Sequence, residues 1–173
     1  MSDDRPPPVL RSIPAPGIVK AARTLWMLSF VLGGAAVFIA FLSGETLMTE
    51  LGELLDRLAP GYTEAEISSL VDVMYWSSLG SLGLVIAVEA ILLAMVMNQR
   101  GRARWVQLFV LILHAGAALL SAAFLGVGDW GIVIQLSLIA GLALAATAWV
   151  LTLFPPAHRW FRMKNETELV PLD

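Results

Sequence analysis

Residues 73–97 read VMYWSSLGSLGLVIAVEAILLAMVM and, after a short basic turn, residues 105–125 read WVQLFVLILHAGAALLSAAFL. Both runs are continuously apolar, and each reaches the roughly 20 residues that an α-helix needs to cross about 30 Å of hydrocarbon. A β-barrel would instead show segments of about ten residues with alternating polarity. The two runs therefore read as a membrane hairpin. Similar runs flank them at residues 18–42 and 131–154, so the expected fold class is all-α, an integral membrane four-helix bundle. Composition agrees: 58% hydrophobic residues, 14% charged residues and a mean hydropathy of +0.77 are too apolar for an ordinary soluble domain.

Orientation follows from the basic residues, because positively charged loops stay in the cytoplasm. Arg5, Arg11, Lys20 and Arg23 precede the first span, Arg100, Arg102 and Arg104 lie between the second and third, and Arg159, Arg162 and Lys164 follow the fourth. Of the 11 Lys and Arg residues only Arg57 falls on the other side, in a loop that carries Glu45, Glu50, Glu53, Asp56, Glu64, Glu66 and Asp72. Both termini are expected in the cytoplasm and the acidic loop outside, at the cell membrane. The aromatic residues give the same orientation if Trp26, Trp105 and Trp160 anchor the inner interface and Tyr75, Trp76 and Trp130 the outer one.

Residues 1–17 hold Pro6, Pro7, Pro8, Pro14 and Pro16 and read as a disordered cytoplasmic tail, a docking ligand being the alternative. Charges ahead of an apolar run also occur in secretory signals. Here the run has spanning length and no A-x-A-like site follows, so an uncleaved helix is expected. Residues 155–173 are expected to form a basic, aromatic segment at the inner surface and an acidic tail, with Pro155 and Pro156 stopping the last span. The chain has no Cys, which removes disulfides, thiolate metal sites and thiol redox chemistry.

The outer loop, residues 43–72, has evident structure of its own. Leu47, Leu51, Leu54, Leu55 and Leu58 recur on one helical face, with Glu45, Glu53 and Asp56 roughly opposite. Pro60 and Gly61 end that helix, and Thr63 with Glu66 forms a capping-box pattern that would start a second one running into the second span. The expected element is an extracytoplasmic helical hairpin whose leucine face is a candidate partner-docking surface. An interfacial helix on the outer leaflet is the alternative.

Two ionisable side chains lie deep in the apolar runs, Glu89 and His114. Each is 12 or 13 residues from Gly101 at the centre of the turn, so antiparallel packing places them level near the middle of the bilayer. A charged acid there costs on the order of 2.5–3.5 kcal/mol, and a hydrogen-bonded partner recovers part of it. The pair is expected to clamp the second and third spans in register, and a proton or cation relay is the alternative. Two ligands are too few for a zinc site. Spans three and four are also rich in small residues, among them Ala115, Gly116, Ala118, Ala122, Gly141, Ala145 and Ala148, which with Gly33 and Gly34 read as close-packing positions.

Gly101, Arg102, Ala103, Arg104 and Trp105 make a basic turn leading into a tryptophan, and Pro155, Pro156, Trp160 and Phe161 a proline and aromatic exit. In these features the chain resembles small four-helix membrane proteins of actinobacteria, a group with no established activity to carry over. No cofactor and no nucleic-acid partner is expected, since one buried histidine cannot ligate haem from both sides and no acidic cluster suits metal-assisted phosphoryl transfer. The functional expectation is a non-enzymatic accessory or assembly subunit of a larger envelope or respiratory membrane complex, in contact with lipid and with a membrane-protein partner or its own copies. The alternative is a small oligomeric proton-coupled transporter or channel using Glu89.

Overall fold

The computed structural model describes residues 14–98 and 101–167. The expected disordered leader falls mostly on residues 1–13 and the acidic tail on 168–173, both outside the described residues. Six helices and no strand occur among the described residues: α1 Gly17–Leu42, α2 Gly44–Leu58, α3 Glu64–Met97, α4 Ala103–Leu125, α5 Gly131–Leu151 and α6 Pro155–Thr167. Of these, α1, α3, α4 and α5 are long and apolar enough to cross a membrane. They form a ring in which α1 packs on α3 and α5, and α4 packs on the same two.

The buried positions of these helices repeat with heptad spacing. On α1 they are Val19, Ala22, Trp26, Ser29, Gly33, Ala36 and Ala40. On α5 the same three-then-four rhythm runs through Gly131, Ile134, Leu138, Gly141, Ala145 and Ala148. Such spacing keeps one seam of a helix facing its neighbours in left-handed packing. The α1 and α5 seams are dominated by small residues, so these two backbones approach closely: a Cβ on Gly141 would lie 3.4 Å from the Ser29 carbonyl oxygen. Gly34 and Gly116, read from sequence as close-packing positions, face outward with open space around them. Of the six aromatic residues expected as interface anchors, three are buried within the chain. Trp26 and Tyr75 are 1% and 2% exposed and sit in the core, and Trp160 is buried as well, while Trp76, Trp105 and Trp130 remain exposed. A large aromatic on the inward seam fills volume between small neighbours, whatever its distance from the helix end.

The segment between the first two long helices is built by two local devices. Ser43 breaks α1 from α2, and Gly44 lets the bend close on α3, because a Cβ there would sit 2.5 Å from Tyr75 Oη. That hydroxyl donates to the Ala40 carbonyl at 3.0 Å. At the other end of α2, Thr63 and Glu66 cap α3 reciprocally: the Glu66 carboxylate accepts from Thr63 N at 2.7 Å, and Thr63 Oγ1 accepts from Glu66 N at 3.4 Å. The helix then continues unbroken for 34 residues into the second apolar run. Leu51 packs with Ile67 and Val71, flanked by Met48, Leu55 and Phe124, so α2 lies against the first turns of α3.

The capping box carries a pH dependence. Hydrogen bonds from the Thr63 backbone and side chain hold the Glu66 pKa below its ordinary value. A carboxylate with a depressed folded pKa contributes stability that is full above its unfolded pKa and lost as pH falls through the folded one. Acidification should therefore fray the first turn of α3 before the rest of the helix. Hydrogen exchange at the Glu66 and Ile67 amides followed against pH tests this, with Glu66→Gln, which cannot titrate, as the variant in which the acid-dependent step disappears.

The far end of the bundle differs from the sequence expectation. The fourth apolar run ends as helix at Leu151, ahead of the two prolines and short of the expected residue 154, and Pro155 and Pro156 then begin a further helix, α6. Proline suits a first helical turn, where its missing N–H has no partner to lose and its φ is already helical. Ala157, Trp160 and Phe161 are buried with Val19, Val96 and Ala103, so α6 closes this end of the bundle and leaves His158, Arg159 and Arg162 exposed.

Candidate functional site

Glu89 lies on the α3 seam and His114 on the α4 seam, 0% and 3% exposed. His114 Nδ1 and Glu89 Oε2 are 3.0 Å apart, a hydrogen bond in which either the imidazole N–H or the acid O–H is the donor. The other carboxyl oxygen, Oε1, has no hydrogen-bond partner. A buried acid with one free acceptor and one bonded basic nitrogen can hold or pass a single proton without leaving the apolar interior.

The surroundings are more polar than the sequence suggests. Every polar side chain of α4, namely Arg104, Gln107, His114 and Ser121, falls on its buried seam. From α1 come Trp26, which packs with Leu93, Leu111, Ala145 and Ala148, and Ser29 one turn further along. Gln107 Nε2, Trp26 Nε1 and Ser29 Oγ are buried without hydrogen-bond partners, as is Glu89 Oε1. Toward the α2 end of the bundle Ser121 Oγ donates to the Ser78 carbonyl at 3.4 Å. Toward the α6 end Arg104 is buried: Nη1 donates to the Thr152 carbonyl at 3.1 Å, and its guanidinium lies 5.5 Å from the Phe161 ring centroid. A cation on the last carbonyls of α5 complements the negative end of that helix, which accounts for a buried arginine with no acid nearby. Trp149 Nε1 donates back to the Arg104 carbonyl at 3.1 Å, closing the α4–α5 junction.

In the sequence Arg104 marks orientation and the basic turn, and a buried role for it or for Gln107, Ser29, Ser78 and Ser121 was not among the expectations. Their signal was present: in α4 the polar residues recur at heptad spacing inside an otherwise apolar run. No group of three or more His, Asp or Glu among the described residues is placed to hold a metal ion.

The leucine face of α2 is divided by the fold. Leu47 and Leu51 are 2% and 3% exposed and are spent on contacts within the chain, Leu54 and Leu55 are half-buried, and Leu58 is 71% exposed. Only the end of that face is free for a partner, because α2 must bury the rest to hold its place on α3. What α2 and α3 leave open is a groove of about 700 Å³, lined by Glu53, Asp56, Glu64 and Asp72 around Met48, Ile67 and Val71. At the turn between α4 and α5, Gly128 has φ of 70°, and a Cβ there would collide with the Glu50 carboxylate, so glycine is required for α2 to lie over that turn.

Fold and site together define an all-helical protein with four candidate membrane spans and a buried acid–base pair between two of them. Comparison with protein-family models, with curated proteins and with solved structures finds no match.

Proposed function

We propose that this chain is a non-enzymatic accessory or assembly subunit of a larger membrane complex of the cell envelope or respiratory type. In this reading both termini are cytoplasmic and the α2–α3 hairpin stands outside as the docking element. The observation that supports it best is the acidic groove between α2 and α3: four carboxylates surround an apolar floor, and Arg57 is the only base in the loop. Such a surface suits a partner segment that is basic and amphipathic, since charge complementarity speeds encounter and apolar contact holds the complex. Extraction in mild detergent at low salt should recover a stoichiometric partner. Replacing Glu53, Asp56, Glu64 and Asp72 by Lys should lower that recovery at least about tenfold, as like charges would then face each other. Undiminished recovery by the charge-reversed protein, or substrate flux by the isolated protein in liposomes, would remove this reading.

A second reading, a small oligomeric proton-coupled transporter or channel, is favoured by the free Oε1 of Glu89 and by the alignment of Arg104, Gln107, His114 and Ser121 along one buried seam. Proton flux in proteoliposomes that disappears in Glu89→Gln would select it.

A further inference from the structure

We propose that the groove between α1 and α3 at the end of the bundle closed by α6 binds an acyl chain of an anionic phospholipid, whose headgroup phosphate is held by Arg23 and Lys20. This rests on the chain spanning a bilayer and is independent of the accessory-subunit reading. Met27 and Phe30 of α1 and Ala90, Ala94 and Met97 of α3 line a groove of about 580 Å³ with Arg23 at its mouth. It exists because α1 packs mainly on α5, while α3 turns small alanines toward the gap. In a bilayer an apolar groove on the outer surface fills with hydrocarbon, since an empty one forfeits dispersion contacts along its whole lining.

The charges decide which lipid. Lys20, Arg23, Met27 and Phe30 follow one another on a single stripe of α1, so the two cations sit in line with the groove. No carboxylate among the described residues pairs with either cation. The first turn of α1 contains no acidic residue, so no acid within that turn offsets the positive end of its helix dipole. From Arg23 to Phe30 the groove runs about 10 Å along the helix, the direction an acyl chain takes from the headgroup region toward the midplane. A phosphate at the mouth and a chain in the groove satisfy both halves at once.

The test uses the full chain in mild detergent and reads lipid binding by native mass spectrometry and thermal unfolding. Its probes are phosphatidylglycerol, phosphatidylcholine with the same acyl chains, and inorganic phosphate. Phosphatidylglycerol should bind about fivefold or more tightly than phosphatidylcholine, with phosphate alone giving no stabilisation. Lys20→Gln with Arg23→Gln should bring the two lipids to parity. Ala90→Leu with Ala94→Leu should reduce uptake of both while circular dichroism stays unchanged. Equal affinities in the parent chain, a preference that survives loss of both cations, uptake indifferent to filling the groove, or phosphate acting as well as the lipid would each overturn the proposal. So would efficient disulfide linkage of Ala90→Cys between copies in native membranes under an added oxidant, which in this cysteine-free chain would give the groove to a second copy.

Discussion

Glu89→Leu and His114→Leu should each lower the melting temperature of the bundle, and the two together should cost less than the sum of the singles. Either single change strands the remaining partner in the interior, with Oε2 or Nδ1 deprived of its 3.0 Å bond. Removing both leaves only apolar groups to face each other. Polar pairs within membranes average about 0.6 kcal/mol and reach about 1.7, so the singles should fall by a few degrees without misfolding. Scanning fluorimetry of the four proteins in one detergent yields the coupling. Strict additivity would mean that the contact contributes nothing to holding α3 against α4. The same double variant separates the roles: as a clamp it can be replaced by leucines with function intact, whereas as a proton-handling pair it leaves a folded protein without activity.

Ala145→Leu should be more damaging, although it is conservative by any hydropathy scale. Ala145 is 0% exposed and packs beside Trp26 and Ala148 on the α1–α5 contact. Extra methylenes in a filled core cost about 1–3 kcal/mol, and in lipid no hydrophobic effect compensates, because the hydrocarbon outside the bundle is as apolar as its core. A fall of about 5 °C or more is expected, together with faster proteolysis of the α1 end. Ala140→Leu is the matched control: the same substitution five residues earlier, on the exposed face, should be close to neutral. If the two variants behave alike, α1 does not pack on α5 as described.

How much of this could be read in the chain differs from element to element. The four long helices, the capping box at Thr63 and Glu66, and the facing of Glu89 and His114 all depend on local quantities: run length, side-chain chemistry three residues apart, and equal distance from a tight turn. These are properties of sequence order, so the sequence carries them. Hydropathy could not reveal which face of each long apolar helix turns inward, because these helices are apolar on every side and have little amphipathic contrast. The buried seams are marked instead by small and polar residues at heptad spacing, as in Ser29, Gly33 and Ala36 or in Gln107, His114 and Ser121. That pattern is visible only once one looks for something other than apolarity.

What the sequence by itself determined, then, is the all-helical architecture, the number of long apolar helices and the level meeting of one acid with one imidazole. Tertiary structure alone decided that α1 joins α5 more intimately than the next long helix, α3, and that Trp26, Tyr75 and Trp160 are buried within the chain. It also decided that Arg104 is buried on the end of α5, and that Pro155 opens a closing helix. Each of these depends on which surfaces meet between segments far apart in the chain. Close approach of small-residue seams and the capping of one helix by a side chain from another are set by the three-dimensional fit of partners, which no single segment encodes.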